Sequence, residues 1–193
     1  MGRPNIANTW TREAVLALPE DGNRYELVDG ELLVSPAPRL LHQAAVLALF
    51  RLLDPYVDRG RLGMLLLSPA DLDLRSGQLV QPDLFVVPAV VGRRPSRWEE
   101  CGIPLLIAEV LSPSTARYDR ITKRRRYQRS GVPVYWMVDI DARLVEVWAP
   151  GDDKPAIIDG ALAWNPTGAA EALIVDLPAF FRGLQAEPSA MGT

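Results

Sequence analysis

Two carboxylates stand in stretches that otherwise read as buried strand. Glu109 lies within Pro104-Leu105-Leu106-Ile107-Ala108-Glu109-Val110-Leu111-Ser112, and Asp83 within Leu79-Val80-Gln81-Pro82-Asp83-Leu84-Phe85-Val86-Val87. Both runs are short and apolar, as strands in the interior of a sheet are. A carboxylate in such a place is paired, protonated or bound to metal, because burying it bare is costly. Neither run contains Lys or Arg, so the two acids together suggest a divalent-cation site. Strand alternation puts Asp83 on a face with Gln81 and Phe85, and Glu109 on a face with Ile107 and Leu111. The acids converge only if their strands are neighbours in register. Two other readings stay open: Asp83 as a turn or bulge acid after Pro82, and Glu109 as half of a buried ion pair with a distant Arg.

A lysine stands where it could join them. Tyr118 to Ser130 reads as a helix closed by Gly131 at its C′ position. Asp119, Lys123 and Tyr127 recur every four residues along it and share a face, a spacing that an ordinary salt bridge with an aromatic neighbour also produces. The turn Ser112-Pro113-Ser114-Thr115 leads this helix off the end of the Glu109 strand. Ligands bind just outside the carboxyl ends of strands in open α/β sheets, which brings Lys123 within reach of whatever Glu109 holds. A hard cation on two carboxylates beside a lysine suits phosphodiester hydrolysis: the metal polarises a phosphoryl oxygen and acidifies a bound water, and the lysine stabilises developing charge or orients the water. Oxygen ligands favour Mg²⁺ or Mn²⁺ over zinc.

The elements that must position these groups can be read from periodicity and turn chemistry. Thr11 to Leu18 reads as a short helix. Tyr25–Val28 and Glu31–Val34 read as a hairpin around Asp29-Gly30. Arg39 to Leu53 has the period of an amphipathic helix, which Asp54-Pro55 ends or kinks. Strands are expected at 63–67, at 71–74 and around Asp83, then a loop at 91–100, the Glu109 strand and the basic helix. A second hairpin, Val134–Val138 and Leu144–Trp148, turns at Asp139-Ile140-Asp141-Ala142. Short strands near Ile157 and Leu173 and a helix around Phe180 complete the pattern. The step from the Glu109 strand through a helix to the Tyr135 strand is long enough for a βαβ crossover. The fold class is therefore α/β or α+β, a mixed central sheet flanked by helices, expected as one domain over 1–193, with a core of about 10–184 and a frayed tail at 185–193.

Composition bounds the rest. The chain has 193 residues, 48% of them hydrophobic and 23% charged, as in an ordinary soluble globule. No apolar run is long enough in sequence to span a bilayer, and Met1 to Arg12 has no signal-peptide core. One cysteine, Cys101, makes no internal disulfide, so a cytoplasmic setting is expected. His42 is the only histidine. The net charge of −3 and pI near 5.3 are not those of a general nucleic-acid binder. Seven of the 21 Lys and Arg nevertheless lie between Arg117 and Arg129. This cluster is either a solvated helix face or a phosphate-facing patch, with Arg120, Arg124 and Arg126 as its contacts.

Taken together, Pro82-Asp83, Glu109-Val110-Leu111-Ser112-Pro113-Ser114-Thr115, Asp119, Lys123, Tyr127, Gly131-Val132-Pro133 and Tyr135-Trp136 resemble the Uma-type putative restriction endonuclease family of the PD-(D/E)XK nuclease superfamily. The resemblance extends upstream to Tyr25-Glu26-Leu27-Val28-Asp29-Gly30-Glu31 and to His42, and covers roughly Tyr25 to Trp148. It implies a restriction-endonuclease-like mixed sheet, Mg²⁺ (or Mn²⁺) held by Asp83 and Glu109, Lys123 as the catalytic lysine, and DNA as partner. One departure stands out. The superfamily places a lysine two residues after the Glu, where this chain has Leu111, and the role moves to Lys123. Glu26 or Glu31 could add a further carboxylate, although both also suit a solvent-facing hairpin. His42 suits core packing with one hydrogen bond as well as an accessory role, as do Asp119 and Tyr127 on the helix face. The competing readings are an inactive nuclease-fold module that binds nucleic acid or a protein, and a hydrolase of some other phosphoester. The aromatic hairpin of Tyr135, Trp136 and Trp148 suits either the core or a homodimer contact.

Overall fold

The computed structural model describes residues 10–74, 79–113 and 115–185. The tail at 186–193 and Ser114 of the Ser-Pro-Ser-Thr turn lie outside the described residues. A six-stranded sheet carries the fold, in the order β3-β4-β5-β6-β7-β8. Its strands are β3 (Gly63–Leu67), β4 (Leu84–Pro88), β5 (Leu106–Val110), β6 (Tyr135–Asp139), β7 (Leu144–Trp148) and β8 (Ala156–Ile158). Every neighbouring pair is antiparallel except β5 and β6. Those two are joined by the basic helical segment, so the expected βαβ crossover is present and the sheet is mixed.

Alternation along the strands builds two cores. On one face Leu84, Val86, Leu106, Ala108, Trp136 and Val138 pack under α2 (Leu40–Arg59) and α5 (Leu177–Gln185). On the other, Phe85, Val87, Ile107, Tyr135 and Met137 pack under Tyr127 and Val132 and against Val28 of the first hairpin. Tyr135, Trp136 and Trp148 are all buried in these cores, which leaves the aromatic hairpin no part in a contact between copies.

The hairpin β1 (Arg24–Val28) and β2 (Glu31–Ser35) turns at Asp29 and Gly30, both at positive φ, 52° and 83°. That is the two-residue turn the Asp-Gly pair favours. The first helix, α1 (Arg12–Leu16), is capped by Thr11, whose hydroxyl accepts from the Ala14 N–H. Three boundaries differ from the sequence reading. Helix α2 runs through Pro55 to Arg59 because Leu53 and Val57 are buried on its sheet-facing stripe, and that packing outweighs the one hydrogen bond a proline forfeits. The 71–74 strand shrinks to a bridge between Leu72 and Val80. A further hairpin, β9 (Ala161–Trp164) with β10 (Leu173–Asp176), holds a strand the pattern did not reveal. Helix α2 is also long and apolar enough, by length and composition, to cross a membrane. Here it covers the sheet with Ala45, Val46, Leu49, Leu53 and Val57.

Gly63 marks the closest approach in the sheet. Its φ is 155°, and a Cβ added there would lie 1.8 Å from the Val87 carbonyl oxygen of the paired strand. Gly63→Ala is expected to cost more than about 3 kcal/mol, because backbone rather than a flexible side chain must give way. Chemical denaturation would show a lower midpoint with an unchanged slope; an unaltered midpoint would contradict the packing described.

Candidate active site

The register of β4 and β5 decides whether the two acids meet. Leu84 pairs with Ala108, Phe85 with Ile107 and Val86 with Leu106. One step further along the same ladder puts Asp83 opposite Glu109, on the face that carries Phe85 and Ile107. The two residues are tied by reciprocal bonds: the Asp83 N–H donates to Glu109 Oε2 at 3.2 Å, and the Val110 N–H donates to Asp83 Oδ2 at 2.9 Å. The expected convergence is present, at the carboxyl ends of β5 and β6.

Lys123 reaches Glu109 from the crossover. Its Nζ lies 2.9 Å from Glu109 Oε1, 3.0 Å from Glu26 Oε2 and 3.6 Å from Asp119 Oδ1. The crossover consists of α3 (Ala116–Tyr118), a π-helical turn (Asp119–Lys123) and α4 (Arg124–Arg129). The wide turn keeps Asp119, Lys123 and Tyr127 all buried against the sheet, and π turns of this kind occur often at functional sites. Tyr127 donates its hydroxyl to Glu109 Oε1 at 3.0 Å.

Glu26 belongs to this centre and not to the surface of its hairpin. It is 1% exposed, and its Oε1 accepts the Gln81 N–H at 2.7 Å. Glu31 stays on the exposed side of the hairpin, 3.4 Å from the Tyr118 hydroxyl, outside the cluster. His42, on the first turn of α2, places Nε2 3.0 Å from Asp83 Oδ2, so Nε2 carries the proton it donates. Its environment is thus the carboxylate, not the apolar stripe of its helix. Arg24 was not picked out from sequence. Its guanidinium bridges Asp83 Oδ1 at 3.0 Å and the Gln81 carbonyl at 3.1 Å. The signal available was its place two residues before Glu26 on a strand with alternating faces, which sets both side chains on one side.

The three arginines expected to face phosphate have intramolecular partners instead. Arg120 pairs with Glu146 at 2.6 Å and Asp139 at 2.9 Å. Arg124 stacks 4.3 Å over the Trp148 ring and donates to Gln128, and Arg126 lies 3.9 Å from Asp29 with little exposure. Charge density along the helix served the packing of the helix on the second hairpin and the first turn, which a one-dimensional count does not distinguish from a ligand surface.

A cleft of about 500 Å³ opens onto the centre, lined among others by Arg39, His42, Asp83, Glu109, Asp119 and Lys123. The electrostatics there are unbalanced. Glu26, Asp83, Glu109 and Asp119 face two permanent cations, Lys123 and Arg24. Burial pushes Glu109 up to about 8; Lys123 opposes this, while Asp83, Asp119 and Glu26 add to it. Burial likewise raises Asp119. For Asp83 burial also acts upward, but the hydrogen bond and charge of His42, with Arg24 and Lys123, hold it well below the usual carboxylate range. Burial acts to lower Lys123, yet Glu109, Glu26 and Asp119 carry it well above its ordinary value. A divalent cation would supply the missing positive charge. Among the described residues no three His, Cys, Asp or Glu side chains form a group that could hold a metal ion, and the oxygens that such an ion would meet here are those of the paired Asp83 and Glu109. That is the sparse oxygen set that Mg²⁺ accepts, with waters completing its shell, and not a tetrahedral zinc site.

Residues 12–185 match the model of the Uma2 family, described as "Putative restriction endonuclease". Solved structures that resemble the chain include that of "a putative nuclease belonging to DUF820" from Anabaena variabilis, with a TM-score of 0.70 and 22% identity, covering 91% of this chain and 99% of that one. At this identity the likeness shows the fold: the restriction-endonuclease-like α+β architecture expected from the sequence. No curated protein matches the chain.

The raised carboxyls fix a sign for the pH dependence. Between the ordinary glutamic value and about 8 the folded chain holds a proton on Glu109 that the unfolded chain has released. Stability in EDTA should therefore fall as pH rises from 5 to 8. Added Mg²⁺ should restore more of it at pH 8 than at pH 5, since the ion competes with that proton. Thermal melts across this range check it; a flat profile, or equal Mg²⁺ shifts at both ends, would refute the charge assignment.

Proposed function

The chain belongs to the Uma2 family, and we propose that it is a Mg²⁺- or Mn²⁺-dependent endonuclease that hydrolyses DNA phosphodiester bonds. The observation that carries this is the Asp83–Glu109 pair brought face to face by the β4–β5 register, with the Lys123 ammonium 2.9 Å from Glu109. When bound between these carboxylates, a divalent cation supplies Lewis acidity and an acidified water.

The chain's own residues do the remaining work. Glu26 and Asp119, joined by Glu109 once it is ionised, keep Lys123 protonated, so it acts as a fixed cation toward charge developing on the phosphoryl oxygens and not as a general base. Its three acidic neighbours also hold Nζ in one place, which removes a reorganisation step when charge develops. Tyr127 and the Asp83 N–H fix the Glu109 carboxylate from two sides, and His42 with the Val110 N–H fixes Asp83 Oδ2. The lysine missing at Leu111 is thus replaced in space by one arriving from the crossover helix; Leu111 instead packs beside the second core.

Phosphate contacts fall to cations that the fold leaves exposed. Arg39 lies exposed on the rim of the cleft and is the first candidate. One observation favours the alternative of a nucleic-acid- or protein-binding module without activity: Arg120, Arg124 and Arg126 have internal partners, which leaves a weaker basic surface than the sequence suggests.

Purified protein should nick supercoiled plasmid with Mg²⁺ or Mn²⁺ and not with EDTA. Asp83→Ala should abolish nicking with the fold retained by circular dichroism. Lys123→Ala should lower the rate by at least about 100-fold, the scale of losing one preorganised charge. Equal cleavage by wild type and Asp83→Ala would mark the activity as foreign to this chain. Binding without cleavage would select the inactive module. Separately, Arg39→Ala should weaken DNA affinity and reduce the slope of log affinity against log salt by about 1; an unchanged slope would remove Arg39 from the interface.

A further inference from the structure

Asp83 holds three partners in the centre, as Glu109 does, but one of its three is an arginine. Oδ2 takes the Val110 N–H at 2.9 Å and His42 Nε2 at 3.0 Å, and Oδ1 takes Arg24 at 3.0 Å. A cation shared with Glu109 must bind an Asp83 oxygen while a guanidinium already occupies one. The two permanent cations of the site are held very differently. Lys123 is enclosed by three acids, with its side chain 4% exposed, whereas the Arg24 side chain is 20% exposed and its hydrogen-bond partners among the described residues are Asp83 and the Gln81 carbonyl. Of the two, Arg24 is the more exposed and the less enclosed by anions.

Its position adds a second consequence. Another cleft, of about 570 Å³, lies beyond Arg24 and is lined by Leu18, Asn23, Gln43 and Gln81. It shares with the first cleft Arg24, Pro36, Ala37, Pro38, His42 and Asp83. Arg24 and its partner Asp83 therefore border both clefts, and movement of this side chain would widen the opening between them across the Asp83 carboxylate.

We propose that Arg24 is a displaceable counter-ion: it occupies Asp83 when no metal is bound, leaves when a divalent cation arrives, and in leaving opens the passage between the two clefts to an extended phosphodiester chain. This rests on the metal-site reading given above. The freed guanidinium remains at the junction, where the forked donor geometry of arginine suits a phosphate of the entering strand. The device couples substrate access to metal loading.

The test uses the full chain and needs no catalysis. Mn²⁺ affinity, measured by electron paramagnetic resonance for wild type and Arg24→Ala, should tighten by at least about fivefold in the variant, because a competing positive charge is gone. In EDTA the variant should melt lower, its buried Asp83 having lost a partner, and Mn²⁺ should raise its melting temperature by more than that of wild type. Loss of a nearby charge alone would also tighten binding, so movement is read directly. The Arg24 side-chain ¹⁵N–¹H resonance, identified by its absence in Arg24→Lys, should shift on Mg²⁺ addition toward that of a free guanidinium. An unmoved resonance, or Mn²⁺ binding equal or weaker in Arg24→Ala, overturns the counter-ion proposal while leaving the metal site intact. Absence of Mn²⁺ binding in both proteins overturns the metal site as well.

Discussion

The pairing of β4 with β5 is the constraint on which the site depends. Antiparallel strands bring residues of constant number sum opposite one another, and the observed ladder sets Asp83 against Glu109. A slip of one residue would turn one acid to the far face of the sheet, toward Leu84, Val86 and Ala108. The register is protected against that slip by both cores: Phe85 and Ile107 pack on one side while Leu84 and Ala108 pack on the other. The apolar residues around the acids therefore do more than bury them. They specify the alignment that makes two carboxylates into one site.

Burial sets the second constraint. Four acids share a dry region with one enclosed lysine and one partly exposed arginine, and burial, with the neighbouring acids adding to it, pushes Glu109 up to about 8. A cluster of this kind is poor structural engineering by itself, since buried ion pairs add little net stability and unpaired ones cost heavily. It is the arrangement expected where stability has been traded for the ability to take up a cation. The same imbalance explains why Asp119 and Glu26 lie beside Lys123: an ammonium at that depth needs more than one anion to remain charged.

Much of this was legible in the chain. Glu109 and Asp83 stood out as acids inside apolar runs, the Asp-Gly turn fixed the first hairpin, and the i, i+4, i+8 spacing set Asp119, Lys123 and Tyr127 on one face. What the chain could not show was how distant elements share a point. Glu26 could be read equally as a site carboxylate or a hairpin surface acid, because the hairpin's cover, the crossover helix, comes ninety-odd residues later. His42 sat among apolar neighbours, yet its ring lies off the end of the sheet, where its helix meets Asp83. Arg24 precedes a motif whose other members drew the attention. The partners of the basic cluster were hidden for the same reason: Glu146, Asp139, Asp29 and Trp148, which engage Arg120, Arg126 and Arg124, lie outside it in sequence.

The most direct measurement is anomalous diffraction from crystals soaked in Mn²⁺. The expected result is one peak between Asp83 and Glu109, about 2.2 Å from a carboxylate oxygen of each. A map with no peak there, or with the ion bound only to surface acids, would contradict the proposed metal centre and the nuclease function built on it.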